Sequence, residues 1–185
     1  LRKISTKVIW QGHKENSLLI SDKITFHKSL ISETEESWRN FNFDIEKEKK
    51  IMSYIEERSK GQSDWVSFNE NPSFDLNNFK KKYGIKNKII SLMPSVAWDA
   101  RIKFEHNIFE NQFEWIFFTI DKLKNNKNLD IIIRVHPAEI RSDVPSAQRV
   151  KDEILKKYGL LPKNIKIIDA DDNFSSYKLA EFSEI

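Results

Sequence analysis

The residues with the clearest chemical potential follow an apolar run at 131–133 and are Arg134, His136 and Pro137. Three consecutive isoleucines are typical of a strand that is covered on both faces of a parallel sheet. Proline cannot continue a central ladder, so we expect the strand to stop at Pro137. Arg134 and His136 are two positions apart and would therefore project to the same side of the strand end. A guanidinium and an imidazole in that place predict a site for an anionic ligand, such as a phosphate or a nucleotide.

Each residue of this group also has a structural interpretation. His136 is a catalytic candidate, because an imidazole can donate hydrogen bonds to phosphate or act as acid or base near neutral pH. Alternatively, Arg134 pairs with a surface carboxylate and His136 caps the next segment. Glu139 is a further ligand-binding candidate that could orient the imidazole. Its alternative role is that of an acidic residue near the amino terminus of a helix.

A second group of candidates lies in the predicted loop at 94–101. Ser95 offers a hydroxyl and backbone amides, and Arg101 could meet a phosphate. Asp99 is the second catalytic candidate, since its carboxylate could accept a proton or hold a sugar hydroxyl. Trp98 offers a flat face for a base or a sugar ring. The alternatives are that Trp98 packs on a neighbouring helix and that Asp99 caps a turn.

An acidic cluster at Asp169, Asp171 and Asp172 precedes a predicted helix that begins near Ser175. Carboxylates in such a cluster can hold a metal ion. The same residue types are also ordinary capping residues at the start of a helix. We favour capping and predict no metal site.

Composition excludes several classes of function. The 185 residues are enough for one domain, or for one domain and part of another. Lys and Arg number 31 and Asp and Glu number 28, a balance too even to predict nucleic-acid binding. The chain has no cysteine, which excludes disulfides and thiolate zinc sites and favours a cytoplasmic location. Its apolar runs are far shorter than the roughly 18–20 residues that span a bilayer. The glycine patterns GxGxxG and P-loop are absent.

The region from residue 73 onward alternates regularly between helix and strand patterns. Predicted helices span 75–83, 108–124, 146–158 and 175–182, and predicted strands span 88–93, 129–135 and 165–168. The connections are long enough for parallel pairing. We therefore predict an α/β fold, a Rossmann-like three-layer sandwich with a mostly parallel sheet. The pattern at 182–185 is typical of the start of a fourth strand, so we expect an incomplete domain.

The amino-terminal region gives weaker signals. Short strand patterns occur at 7–10 and 17–20, and a helix with Asp44 as its cap is predicted over 43–60. We expect this segment to be mainly helical. The predicted organisation is an amino-terminal segment at 1–61 and a Rossmann-like domain at 62–185.

Several short motifs together resemble those of a known family. They are Ser95-x-x-Trp98-Asp99, Phe113-Glu114-Trp115, Ile133-Arg134-Val135-His136-Pro137-Ala138-Glu139, Leu161-Pro162-x-Asn164 and Ser176-Tyr177-x-Leu179. In this order they resemble the bacterial capsule polysaccharide biosynthesis proteins, which are GT-B-type glycosyltransferases. The resemblance covers about residues 41–185 and is best over 88–182.

The resemblance implies two Rossmann-like domains with a cleft between them, of which this chain would hold most of the carboxyl-terminal one. That domain would bind a nucleotide-sugar donor as substrate, without a separate cofactor, for transfer to a polysaccharide acceptor. The family's nucleotide contacts would fall on His136 and Pro137, with Arg134 beside them, and on Ser95. The acceptor-side domain would be mostly missing, so we expect this chain to be inactive alone. Peripheral association of the complete protein with a membrane surface would suit glycan assembly.

Two other functions stay open at this point. A polyol-phosphate transferase of the teichoic acid type shares the GT-B arrangement and a similar strand-end His-Pro pair. A Rossmann-like binding domain without chemistry also fits, because the sequence offers no clear pair of catalytic carboxylates.

Overall fold

The computed structural model describes residues 8–11, 18–21, 39–62, 71–98 and 108–184. The chain divides into two compact units, Leu1–Ser67 and Phe68–Ile185. Within the described part, no helix is both long enough and apolar enough to cross a lipid bilayer. The fold is α/β.

The described residues of the first unit include two short strands and a helix at Ile45–Ser59. Strands β1 (Val8–Gln11) and β2 (Leu18–Ser21) pair antiparallel, each within one residue of its predicted position. Helix α1 (Ile45–Ser59) begins after Asp44, whose carboxylate accepts the Lys47 backbone N–H at 2.9 Å. This is the predicted cap, and it pairs an acceptor with an otherwise unbonded donor of the first turn.

The second unit is built on a three-stranded parallel sheet. Its strands are β3 (Lys88–Leu92), β4 (Leu129–Arg134) and β5 (Ile165–Ile168), with β4 in the centre. Leu92 lies opposite Ile133, and Arg134 lies opposite Ile168. The carboxyl ends of all three strands therefore lie along one edge of the sheet, which we call the carboxyl edge.

Helices cover both faces of this sheet. Among the described residues, these helices are α2 (Leu76–Tyr83), α3 (Gln112–Leu123), α4 (Val150–Tyr158) and α5 (Ser176–Glu181). One apolar cluster joins β4 to α3 and α4, and a second joins β4 to α2 and α5. The buried members of the first cluster are Leu92, Ile116, Ile120, Ile131, Ile133, Val135, Val150, Ile154 and Ile165. Those of the second are Phe79, Ile85, Ile89, Ile132, Ile168, Phe174 and Leu179. Alternate residues of β4 thus enter opposite layers, as the period of a strand requires. The three-layer arrangement agrees with the predicted α/β sandwich.

Local sequence sets most helix boundaries. Helix α2 begins after Asp75, which caps it, and ends at Gly84 in the left-handed conformation at φ 63°. Helix α3 begins four residues later than predicted because Asn111 accepts the backbone N–H groups of its first turn. The side chain of Glu114 in turn accepts the Glu110 N–H at 2.7 Å, which ties the residue before the cap to the first turn.

The predicted boundaries are less accurate between β4 and α4. A 3-10 turn at Pro137–Ile140 follows the strand directly and was not predicted. Helix α4 begins at Val150, four residues after the predicted start at Ser146. The hydroxyl of Ser146 instead accepts a hydrogen bond from Trp98, which keeps this residue in the loop.

A fourth chain segment approaches the outer edge of β3. Ser183 forms a parallel bridge with Ile89, and the Glu184 N–H donates to the Ile89 carbonyl at 2.8 Å. The hydroxyls of Ser183 and Ser91 lie 2.8 Å apart. The predicted strand start at 182–185 is therefore seen as one bridge to β3.

Candidate functional site

The candidate site is the carboxyl edge of the sheet, where loops leave β3, β4 and β5. The loop after β3 contains Ser95, which is exposed, between Pro94 and Val96, which are buried. Asp99 and Arg101 lie outside the described residues, so their predicted roles gain no geometry here. The site is therefore built from the described part of this loop and from the residues that follow β4 and β5.

His136 stands directly after β4 and caps the 3-10 turn. Its Nδ1 accepts the Ala138 backbone N–H at 3.1 Å. An imidazole nitrogen that accepts a hydrogen bond carries no proton, so in the neutral ring this bond assigns the proton to Nε2. His136 is half-buried, and Pro137 occupies the first position of the turn. The capping alternative for His136 is therefore observed.

Arg134 is turned into the protein. Its residue is 3% exposed, and its guanidinium donates to the carbonyl oxygens of Asp169 at 2.5 Å and Asp172 at 2.7 Å. Its Nε also approaches the Ser176 hydroxyl at 3.5 Å. Arg134 therefore fastens the loop after β5 to the end of β4, with two main-chain oxygens as its closest partners.

The charge of Arg134 is balanced by acidic groups around it. Burial lowers the pKa of the guanidinium, and the negative charge of Asp172 opposes that shift. An arginine titrates so far above neutrality that it stays charged. A buried cation needs such compensation, because an isolated charge is costly in an apolar interior.

Asp172 is the centre of a polar network that the sequence did not reveal. Its carboxylate, whose side chain is 5% exposed, accepts from Lys82 Nζ at 2.6 Å, Tyr83 Oη at 2.5 Å and the Phe174 N–H at 2.8 Å. Burial tends to raise the pKa of this carboxyl, but the hydrogen bonds from Lys82 and Tyr83 lower it below the usual value. The network joins α2 to the loop after β5.

Asp169 of the acidic cluster also makes a structural contact. Asp169 pairs with Lys151, with both carboxylate oxygens 2.8 Å from Nζ. Ser175 is the residue that caps α5, through the Lys178 N–H. Among the described residues, no group of three acidic or histidine side chains is arranged to hold a metal ion.

Glu139 caps a helix other than the turn in which it lies. Its side chain is buried, with the residue 2% exposed, and its carboxylate oxygens lie 3.0 and 3.3 Å from the Val150 backbone nitrogen at the start of α4. Burial raises the pKa of this carboxyl, while the Val150 N–H and the charge of Arg149 oppose the rise. This contact favours the helix-terminus interpretation of Glu139 over a role in orienting His136.

Trp98 links two loops of the carboxyl edge. Its indole Nε1 donates to the Ser146 hydroxyl at 3.0 Å, and Ser146 lies between the 3-10 turn and α4. The tryptophan is 43% exposed, whereas Ser146 is 8% exposed. The hydrogen bond holds the ring, while much of the residue stays exposed.

A groove of about 460 Å³ lies elsewhere, along the outer side of α3. Its lining includes Phe113, Phe117, Phe118, Asp121 and Lys157. Phe113 and Phe117 are half-buried beside the core. None of the sequence-predicted site residues lines this groove.

Comparison of the chain with protein-family models, with curated proteins and with solved structures finds no match. Inference of the function therefore depends on the described geometry. It brings the loops of Ser95, Trp98 and His136 to one edge of the sheet, and it assigns Arg134 and Glu139 to structural contacts.

Proposed function

We propose that the carboxyl-terminal unit binds the nucleotide part of a nucleotide-sugar donor and that it serves a glycosyltransferase acting on capsule or surface polysaccharide. The motif resemblance to GT-B-type capsule enzymes suggests this activity. The parallel three-layer fold is compatible with it, although such folds host many functions. The nucleotide sugar would be the substrate, and a polysaccharide would be the acceptor.

The observation that carries the proposal is the order of chain segments across the sheet. Along the sheet they run Ser183–Glu184, β3, β4, β5. The chain therefore moves outward from β3 to β5 and then returns to the other side of β3. In open α/β sheets, ligands bind in the crevice outside the carboxyl ends of the strands where the order reverses in this way. The loop that contains Ser95 and Trp98 starts at this point.

His136 would supply a hydrogen-bond donor beside that crevice. The register of β3 and β4 places Leu92 opposite Ile133, so the segments that follow these strands begin side by side. An Nε2–H donor suits a phosphate oxygen, and a donor to an anion is stronger than one to a neutral group. Arg134 would act by fixing the loop after β5 and through its positive charge. Asp99 stays the second catalytic candidate by sequence.

The test is a binding titration that separates the ligand role of His136 from its capping role. We expect calorimetry or ligand-observed NMR to detect binding of UDP, CMP or GDP to the chain. In His136→Asn the side-chain oxygen can still accept the Ala138 N–H, whereas the ring donor is lost. Affinity should then fall about 10-fold, as expected for one hydrogen bond to a charged group.

Thermal unfolding provides the control, since His136→Asn should melt close to wild type while His136→Ala loses the cap as well. Absence of nucleotide binding by the wild type, or equal binding by His136→Asn, would contradict the proposal. A product formed from CDP-glycerol by the complete enzyme would instead support the polyol-phosphate transferase.

A further inference from the structure

Trp98 has an unusual combination of fixed orientation and exposure. Its only polar atom is bonded to Ser146, and the two residues before it, Val96 and Ala97, are buried. The indole is thus held from both its backbone and its N–H, while 43% of the residue stays accessible. Removing a large apolar ring from water is energetically favourable. A partner that covers an exposed ring already held in place would therefore bind more tightly.

The position of Trp98 indicates what kind of partner suits it. The residue lies in the loop that leaves β3 at the reversal of the strand order, and its hydrogen bond reaches the loop that follows the 3-10 turn. His136 precedes the same turn and caps it. A flat apolar face and an imidazole at the same edge of the sheet match a molecule with a ring at one end and phosphate at the other.

We propose that the indole of Trp98 is the platform on which the base of the bound nucleotide stacks, and that Ser146 is a positioning residue that holds this indole. The inference rests on the proposed function and specifies how the same site recognises its ligand. Stacking on an aromatic side chain tolerates every base, because each base has a π-face. A fixed platform also reduces the entropy lost on binding.

The proposal predicts a loss of affinity that depends on the base. In Trp98→Ala, the dissociation constant for UDP or GDP should rise about 5- to 100-fold, the range that corresponds to stacking of one base. Binding of inorganic pyrophosphate and of ribose 5-phosphate, which lack a base, should not change. Trp98→Phe should retain most of the affinity, since it keeps an aromatic face. Ser146→Ala should give a smaller loss, and Ser142→Ala, an exposed serine of the same loop, serves as its control.

Fluorescence gives an independent readout. The chain has five tryptophans, so Trp98→Phe leaves four as an internal reference. We expect UDP to quench wild-type emission and to quench the Trp98→Phe protein much less, although that protein still binds UDP. Thermal unfolding of each variant checks that the fold is kept.

The outcomes separate the two proposals. If the wild type binds UDP or GDP and Trp98→Ala binds them equally well, the stacking inference is wrong and the proposed function stands. An equal loss for pyrophosphate and for UDP also overturns stacking, because the base then makes no difference. If the wild type binds no nucleotide, the proposed function itself fails.

Discussion

Arg134 illustrates, at the scale of single residues, how a side chain of binding type can serve the scaffold instead. Its guanidinium reaches two main-chain carbonyls of the loop after β5, and its position opposite Ile168 brings that loop within reach. The residue type and the period of the strand were readable from the sequence. The partners were not, because they are backbone atoms more than thirty residues away. His136 keeps its predicted place at the end of β4, where it caps the 3-10 turn.

The network around Asp172 predicts a pH-dependent contribution to stability. Asp172→Asn should lower the free energy of unfolding at pH 7 by about 1–3 kcal/mol, since charged hydrogen bonds to Lys82 and Tyr83 are weakened. A carboxyl with a lowered folded pKa stabilises above its unfolded pKa of about 3.9, and this contribution disappears as the pH falls through the lower folded value. Urea titrations at pH 7 and below pH 4 should show the difference between wild type and variant shrinking. Asp171→Asn, at an exposed neighbour, is the control, and an equal effect of both substitutions would contradict the argument.

At the scale of elements, the segment between β4 and α4 was the hardest part to predict. The pattern around Ser146 is a good helix start, and the helix would have begun there on local preferences alone. Two tertiary contacts instead place the helix start at Val150. Trp98 donates a hydrogen bond to the Ser146 hydroxyl, and the Glu139 carboxylate accepts the Val150 N–H. Helices α2 and α5 and strand β5 were predicted within one residue at each end, because their caps or their strand patterns are local.

The cap of α4 predicts different effects for two substitutions of Glu139. Glu139→Ala should destabilise the unit by about 1 kcal/mol or more, because the Val150 N–H loses its acceptor. Glu139→Gln keeps a carbonyl acceptor and should cost less at pH 7. The folded pKa of Glu139 is raised, so the wild type loses stability as the pH rises from about 4.3 through that raised value, and the glutamine variant does not.

Urea unfolding of the three proteins at pH 4 and pH 7 measures this. The advantage of wild type over Glu139→Gln should be larger at pH 4 than at pH 7. A constant difference across this interval would argue against a raised pKa.

At the scale of the whole molecule, the order of segments in the sheet determines where the proposed binding crevice lies. Strand patterns predicted three parallel strands and the start of a fourth, but strand patterns do not say which neighbour a strand chooses. The bridge between Ser183 and Ile89 supplies that information and puts the reversal of chain order at β3. The strongest candidates in the sequence follow β4, whereas the order of segments in the sheet indicates a crevice at the loop after β3.

This order can be tested by a covalent link. The chain has no cysteine, so Ser91→Cys combined with Ser183→Cys introduces a single possible pair. Because the two hydroxyls lie 2.8 Å apart, we expect a disulfide to form on mild oxidation. Mass spectrometry should show the loss of two hydrogens, and the oxidised monomer should migrate faster on a non-reducing gel. Each single variant is a control, and a double variant that forms only links between molecules would contradict the arrangement.

Strand β4 has a consequence for how this unit comes apart. Ile131 and Ile133 belong to one apolar cluster and Ile132 to the other, so a single strand is shared by both helical layers. Unfolding of either helical layer would expose one face of β4 to water. Unfolding of one layer should therefore destabilise the other. We therefore expect the unit that positions Trp98 and His136 to unfold cooperatively in one step, rather than in separate parts.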